Sequence, residues 1–228
     1  MINKSDIYVF LPAFNEAKVI GNLIASLHHN GYKNVCVIDD GSTDDTGKIA
    51  LEAKTKVIRH LVNRGVGAAT QTAIEYAKLK NLNYIVLMDA DGQHLPQDIE
   101  TMIDCMQKQE ADLILGSRFL KDSSAMPRTR KKYNYLANIL TNLFCLNNYT
   151  DTQSGFRMLN KQAINQLNLL LDDYGFCSEM IIHAEKLGLR IKEVPVKVVY
   201  TSYSLSKGQN LFKGIRTGLS LLERILFK

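Results

Sequence analysis

The sequence predicts an α/β domain built on a mostly parallel sheet with helices on both faces. Three observations carry the prediction. The chain has 228 residues, 46% of them hydrophobic, which suits one domain with a full core. Its first 115 residues alternate short apolar runs with stretches of helical period. Each apolar run ends in a polar, Gly-bearing or carboxylate-bearing loop, and sheets of this kind hold ligands at the carboxyl ends of their strands.

Taken in order, the run Ile7–Leu11 is followed by Ile20, Leu23, Ile24 and Leu27, spaced i, i+3, i+4, i+7 as one face of a helix. Val35–Ile38 leads to a helix near Thr46–Ala53, and Val57–Leu61 to one over Ala68–Lys80. Tyr84–Met88 precedes a helix opening at Pro96, a residue suited to a first helical turn, and Asp112–Leu115 closes the series. Beyond residue 116 the pattern is less regular. The basic segment Arg128–Lys132 runs into a helix reaching Leu146, followed by Thr150–Leu159, a helix near Cys177–Leu187, a strand Ile191–Tyr200 and a final amphipathic helix from about Gln209. There is no internal repeat and no linker, so residues 1–228 are expected to form one domain in two halves, 1–115 and 116–228.

Ordinary Gly, Pro and aromatic usage excludes collagen, low complexity and bulk disorder. Cys36, Cys105, Cys145 and Cys177 are scattered without a C-x-x-C, and the start, Met1 to Asp6, lacks a leader's apolar run. Reduced thiols and a cytoplasmic location, peripheral on the inner face of a membrane, are the expectation. The longest nearly apolar stretch, Leu136 to Leu146, is too short to cross a bilayer. The net charge of +5 hides a split: residues 1–115 carry 11 Lys+Arg against 15 Asp+Glu, and residues 116–228 carry 17 against 8. An acidic front can hold a divalent cation, and a basic back can hold phosphates or anionic lipid.

The sharpest motif is Asp89-Ala90-Asp91-Gly92-Gln93. If the extended conformation of Tyr84–Met88 persists, Asp89 and Asp91 point to the same side. With the Gln93 amide oxygen they could share one hard cation, Mg2+ or Mn2+, leaving positions open for phosphate oxygens. An EF-hand is excluded because His94 stands where Gly is required and a strand-like run precedes the loop. Asp39-Asp40-Gly41-Ser42 offers carboxylates to a base or ribose, with Asp44 or Asp45 suited to cap the next helix. Five residues between Gly41 and Gly47, and Ile49 after Lys48, exclude a P-loop. Gly65-Val66-Gly67 lacks the third glycine of a dinucleotide fingerprint, which argues against a nicotinamide enzyme.

Taken together, Pro12-Ala13-Phe14-Asn15-Glu16, Ile38-Asp39-Asp40-Gly41-Ser42, Asp89-Ala90-Asp91-Gly92-Gln93 and Gly116-Ser117-Arg118 resemble, in order and spacing, the family-2 glycosyltransferases of the GT-A fold, a Rossmann-like architecture. Gly116 through Phe119, Asp151 through Arg157, Glu179, and Glu193 through Val196 bring the likeness nearest to the dolichyl-phosphate mannosyltransferase and bacterial polyprenyl-phosphate sugar synthase group. The resemblance implies an inverting, metal-dependent transfer from a UDP- or GDP-sugar to a polyprenyl phosphate. Pro12, Ala13, Phe14, Asn15, Glu16 and Asp40 would hold the base and ribose, with Asp89 and Ala90 beside the ribose and diphosphate. Asp91 and Gln93, with Asp89, would bind the metal; Asp91 and Arg118 would act catalytically. Arg118, Arg130 and Lys207 would face the donor diphosphate or an acceptor phosphate. One departure is the tail, which reads Tyr200 through Lys207 without the Arg that this group carries a few residues before its Ser-Lys pair.

An alternative acceptor is a saccharide hydroxyl, which would need a carboxylate base such as Asp151 or Glu179, whereas a lipid monophosphate is already largely ionised at neutral pH. The chain has no Trp, so it lacks the Gln-x-x-Arg-Trp motif of the processive polysaccharide synthases. Intact Asp89, Asp91 and Gln93 argue against a silent donor-binding subunit. Basic residues Arg128, Arg130, Lys131 and Lys132 beside Leu136, Ile139, Leu140, Leu143 and Phe144 suit a membrane surface, although such a stripe equally suits a core. The partners expected are a nucleotide sugar, a lipid or glycan acceptor, a membrane surface or small membrane protein, and a second copy of the chain; nucleic acid is not among them.

Overall fold

The computed structural model describes residues 1–120, 126–201 and 203. After a short 3-10 turn at Lys4–Asp6 come β1 (Ile7–Ala13), α1 (Ile20–His29), β2 (Asn34–Asp39), α2 (Thr46–Glu52), β3 (Lys56–Arg59), α3 (Val66–Leu79), β4 (Tyr84–Leu87), α4 (Asp98–Gln109) and β5 (Leu113–Ser117). The second half adds α5 (Arg128–Asn142), β6 (Arg157–Asn160), α6 (Lys161–Gln166), α7 (Phe176–Lys186) and β7 (Ile191–Pro195). The strands form one sheet in the order β3-β2-β1-β4-β6-β5-β7. All pairings are parallel except those of β6, which runs antiparallel between β4 and β5.

Strand side chains alternate between faces, and each face buries its own helices. Val9, Leu11, Val37, Val86 and Met158 meet Ile20, Ile24, Ala50, Ile99 and Met102 of α1, α2 and α4 on one side. Phe10, Cys36, Ile38, Ile85 and Leu159 meet Ala73, Ile74, Ile164, Met180 and Ile181 of α3, α6 and α7 on the other. Burial on both faces is why these strands read as continuous apolar runs.

Several boundaries differ from the periodicity. Helix α5 stops at Asn142 instead of Leu146, and β3 ends at Arg59, leaving Leu61 fully exposed in the following loop. Strand β7 ends at Pro195; the next residues cross the site, where His94 and Val198 form an isolated bridge. The short α6 had a local signal in Asn160, whose side chain accepts from the Ala163 N–H as an N-cap. The expected helix from Gln209 lies outside the described residues.

Phe10 is fully buried and meets the Tyr76 ring edge-on at 5.9 Å. Phe10→Ala is expected to cost about 3–5 kcal/mol in a denaturant titration. Leu61→Ser should stay within about 0.5 kcal/mol, because Leu61 packs on nothing that water does not reach.

Candidate active site

Because β1, β2, β3 and β4 are mutually parallel, the loops that follow them leave the same sheet edge. The β1 and β2 loops are stitched together. Asn15 N–H donates to Ser42 Oγ (3.0 Å), Glu16 N–H to Thr46 Oγ1 (2.7 Å) and Ala17 N–H to Asp44 Oδ2 (3.1 Å), while the Asn15 side chain accepts from Thr43 N–H (2.8 Å). Asp44 also binds Thr46 N–H, so it ties the start of α2, whereas Asp45 makes no side-chain cap. Pro12 and Ala13 close β1, Phe14 is 41% exposed at the loop tip, and Glu16 is buried with Tyr203 Oη donating to it at 2.7 Å.

Asp40 departs from the sequence expectation. Its Oδ1 accepts from His60 Nδ1 (2.7 Å) and Arg64 N–H (2.9 Å), and its Oδ2 from Asn63 Nδ2 (3.0 Å) and Gly65 N–H (2.7 Å). Four donors fill the acceptor sites of a carboxylate, so nothing remains for a base or ribose. Asp40 instead holds the 63–65 loop. That loop seats a second one: Gly67 N–H donates to Asp172 O at 2.8 Å, and a Cβ on Gly65 or Gly67 would lie 2.2 or 2.0 Å from the Asp172 or Leu171 carbonyl oxygen. The glycines of Gly65-Val66-Gly67 thus serve loop packing.

The pair Asp89 and Asp91 stands beyond the end of β4. The strand stops at Leu87, and Ala90 and Asp91 form a turn, so a turn and not an extended run sets the two carboxylates near each other. Asp91 Oδ1 accepts from Gln93 N–H at 3.0 Å, and neither carboxylate caps α4. Burial, followed by the negative charges of Asp89 and Glu16, pushes Asp91 up to about 6. For Asp89 burial acts in the same sense, but the His94 ring, 3.6 Å away, and the Arg118 and Arg157 guanidinium groups outweigh it and hold the carboxyl below its usual range. The loop carrying Gly155 lies directly against this carboxylate, since a Cβ there would sit 2.5 Å from Asp89 Oδ1. Buried Gln93 shares the turn.

Opposite these acids lies a cationic wall. Arg118, just after β5, gives Nε and Nη2 to the two oxygens of Asp151 at 2.7 and 2.8 Å, and its own N–H to Oδ2 at 2.9 Å. Asp151 is wholly buried. Fully buried Arg157 donates to Ser154 O and Thr152 O, and its Nη1 has no hydrogen-bond partner among the described residues. Tyr200 is raised by burial while the Arg118 and Arg130 charges oppose that, which puts it within reach of both cations and of Asp91. Tyr174, carried by the 172–175 loop, is pushed up to about 12 by burial and by the charges of Asp89 and Asp91.

The profile of glycosyl transferase family 2 matches residues 8–167. The chain belongs to that family. An uncharacterised protein of Methanocaldococcus jannaschii is 40% identical over 99% of this chain and 95% of its own. The UDP-N-acetylglucosamine–dolichyl-phosphate N-acetylglucosaminyltransferase of Methanococcus voltae is 37% identical over 95% of this chain and 94% of its own. Among solved structures, the glucosyl-3-phosphoglycerate synthase of Mycobacterium tuberculosis complexed with Mn2+ and UDP-glucose superposes with a TM-score of 0.70 at 20% identity, covering 96% of this chain and 78% of that one. It shares the GT-A fold.

For a family-2 glycosyltransferase the site divides clearly. The structure brings Glu16, Asp89, Asp91 and Gln93 to one edge and sets Arg118 and Arg130 around Tyr200; Lys207 lies outside the described residues. Arg157, His94, Tyr174 and Tyr200 were not singled out from the sequence as site residues, because each is placed by contacts far along the chain. A divalent cation suits the acidic edge: Asp91 carries a charge that burial and two neighbouring carboxylates oppose, and the available donors are hard oxygens. No group of three or more His, Cys, Asp or Glu among the described residues forms a closed metal site, so coordination would have to be completed by a ligand.

The folded chain holds the Asp91 proton more tightly than the unfolded chain does, since about 6 exceeds the ordinary 3.8. This favours folding below about pH 4 and is lost as pH rises through about 6. Asp91→Asn should therefore raise the thermal midpoint of metal-free protein at pH 7.5. The gain should shrink below pH 6 and vanish near pH 4 in scanning fluorimetry.

Proposed function

We propose that this glycosyltransferase moves a sugar, with inversion, from a UDP- or GDP-sugar to a polyprenyl phosphate at the inner face of a membrane. One observation carries the choice of acceptor. The carboxylates available as general base for a hydroxyl are both engaged: Asp151 is buried against Arg118, and Glu179 accepts from the Leu170 and Leu171 N–H groups. A phosphate monoester is substantially ionised near neutrality and needs no base. An acceptor side built from Arg118 and Arg130 suits such an anion. The dolichyl-phosphate acceptor named for the Methanococcus voltae relative supports the same reading. No helix among the described residues is long and apolar enough to cross a membrane.

In this reading the stitched loops from Pro12 to Glu16 and Ser42 to Thr46 receive the nucleotide, without the Asp40 carboxylate. Asp91 and Gln93, with Asp89 beside them, would hold Mg2+ or Mn2+, which when bound stabilises negative charge on a departing diphosphate. The Mn2+ in the synthase complex supports a divalent cation. Asp151 fixes one edge of the Arg118 guanidinium, so the Nη1 edge is the part not spent on it and can meet a phosphate oxygen. An acceptor phosphate held there attacks the anomeric carbon directly. Holding it in place lowers the entropic part of the barrier.

Single-turnover assays with labelled UDP- and GDP-sugars and a short-chain polyprenyl phosphate test this. Transfer that needs Mn2+ or Mg2+, stops with a chelator and falls at least about 100-fold in Asp91→Ala is expected. Donor consumption that appears only with a saccharide acceptor would overturn the reading.

A further inference from the structure

Helix α5 is inside out. Its protein-facing side is polar: Asn138 and Thr141 are buried, and Asn138 donates to Thr150 O (2.6 Å) and accepts from Thr152 N–H (2.9 Å), while Thr141 Oγ1 meets Ser178 Oγ at 2.7 Å. Its outward side is apolar. Leu136, Ile139 and Leu143 are 56, 42 and 71% exposed. With exposed Arg128 and Lys132 they follow the i, i+4, i+8, i+11, i+15 spacing of a single helix face. An apolar stripe that packs on its own core would be reversed.

From this we infer that the outward face of α5 docks on an anionic phospholipid bilayer. The inference rests on the lipid-phosphate reading above and names the surface that serves it. Two features select a bilayer as the occupant. Arg128 and Lys132 stand in or next to the first turn, where the helix dipole disfavours cations and no acidic residue offsets them, so they do not serve the helix. Cations beside aliphatic side chains, flanked by exposed Tyr135, match the boundary between phosphate headgroups and acyl chains. The placement also suits the chemistry. Asn138 grips the segment from Thr150 to Thr152, whose Asp151 orients Arg118, so a bilayer seated on α5 lies one side chain away from the residues that hold Arg118.

Flotation with phosphatidylglycerol–phosphatidylcholine vesicles that contain no acceptor tests docking apart from transfer. Leu136→Asn/Leu143→Asn should lower vesicle binding at least tenfold. Arg128→Gln/Lys132→Gln should lower it about fivefold per charge on anionic vesicles, and not at all on neutral ones. Thermal midpoints, elution volume and transfer to a water-soluble short-chain acceptor should match the parent chain. Unchanged vesicle binding overturns the inference. So does a fall in midpoint, which would mean the face packs on protein, or a shift from dimer to monomer, which would mean a second copy covers it. Failure of the parent chain to use the soluble acceptor, with vesicle binding intact, would instead overturn the proposed reaction and leave the docking face standing.

Discussion

The buried pair of Asp151 and Arg118 is the joint on which the second half of the molecule is assembled. Asp151 has no contact with water and accepts three N–H groups of Arg118. Its own segment is fixed from two sides, by Glu193 of β7, which accepts from the Thr150 and Asp151 N–H groups, and by Asn138 of α5. Removing one partner of such a pair strands a buried charge, at about 3–5 kcal/mol. The pair therefore links sheet, outer helix and guanidinium into one rigid unit. It also leaves both Asp151 oxygens engaged on Arg118.

A second buried carboxylate organises the other half in the same way. Asp40 spends three of its four acceptor sites on the 63–65 loop and the fourth on His60, and that loop carries the 171–173 segment against Gly65 and Gly67. The segment leads directly to Tyr174, which faces Asp89 and Asp91. Gly67 and Asp172, more than a hundred positions apart, are thus joined by a backbone hydrogen bond beside the loop that Asp40 fixes. Acidic and basic residues meet around Asp89, and the charges of Arg118 and buried Arg157 help keep it ionised.

The layers and the strand–helix alternation of the first half were legible in the sequence because they follow from period and from local turn chemistry, whereas the strand order came from the fold. Four apolar runs became β1, β2, β3 and β4, with helices in the expected places. The antiparallel β6 was not legible as such: it is four residues long, follows a polar loop, and takes its direction from neighbours β4 and β5. For α5 the sequence displayed an amphipathic stripe but not its orientation. Asn138 and Thr141 look like surface residues until the 150–152 segment and Ser178 supply their partners.

By itself the sequence determined the fold class, the motif order that marks the family, and the acids and cations from which a site could be made. These depend on residue type and near-neighbour spacing, which a single chain displays directly. Only the tertiary structure decided which of those groups keep their chemistry. Asp40, Asp151 and Glu179 are equivalent carboxylates on paper, yet folding brings four donors to Asp40, three N–H groups of Arg118 to Asp151, and the Leu170 and Leu171 N–H groups to Glu179. Asp91 is left in a turn among like charges. A carboxylate's reactivity is set by burial and by the donors within about 3 Å of it, and those are fixed when distant segments close over one another.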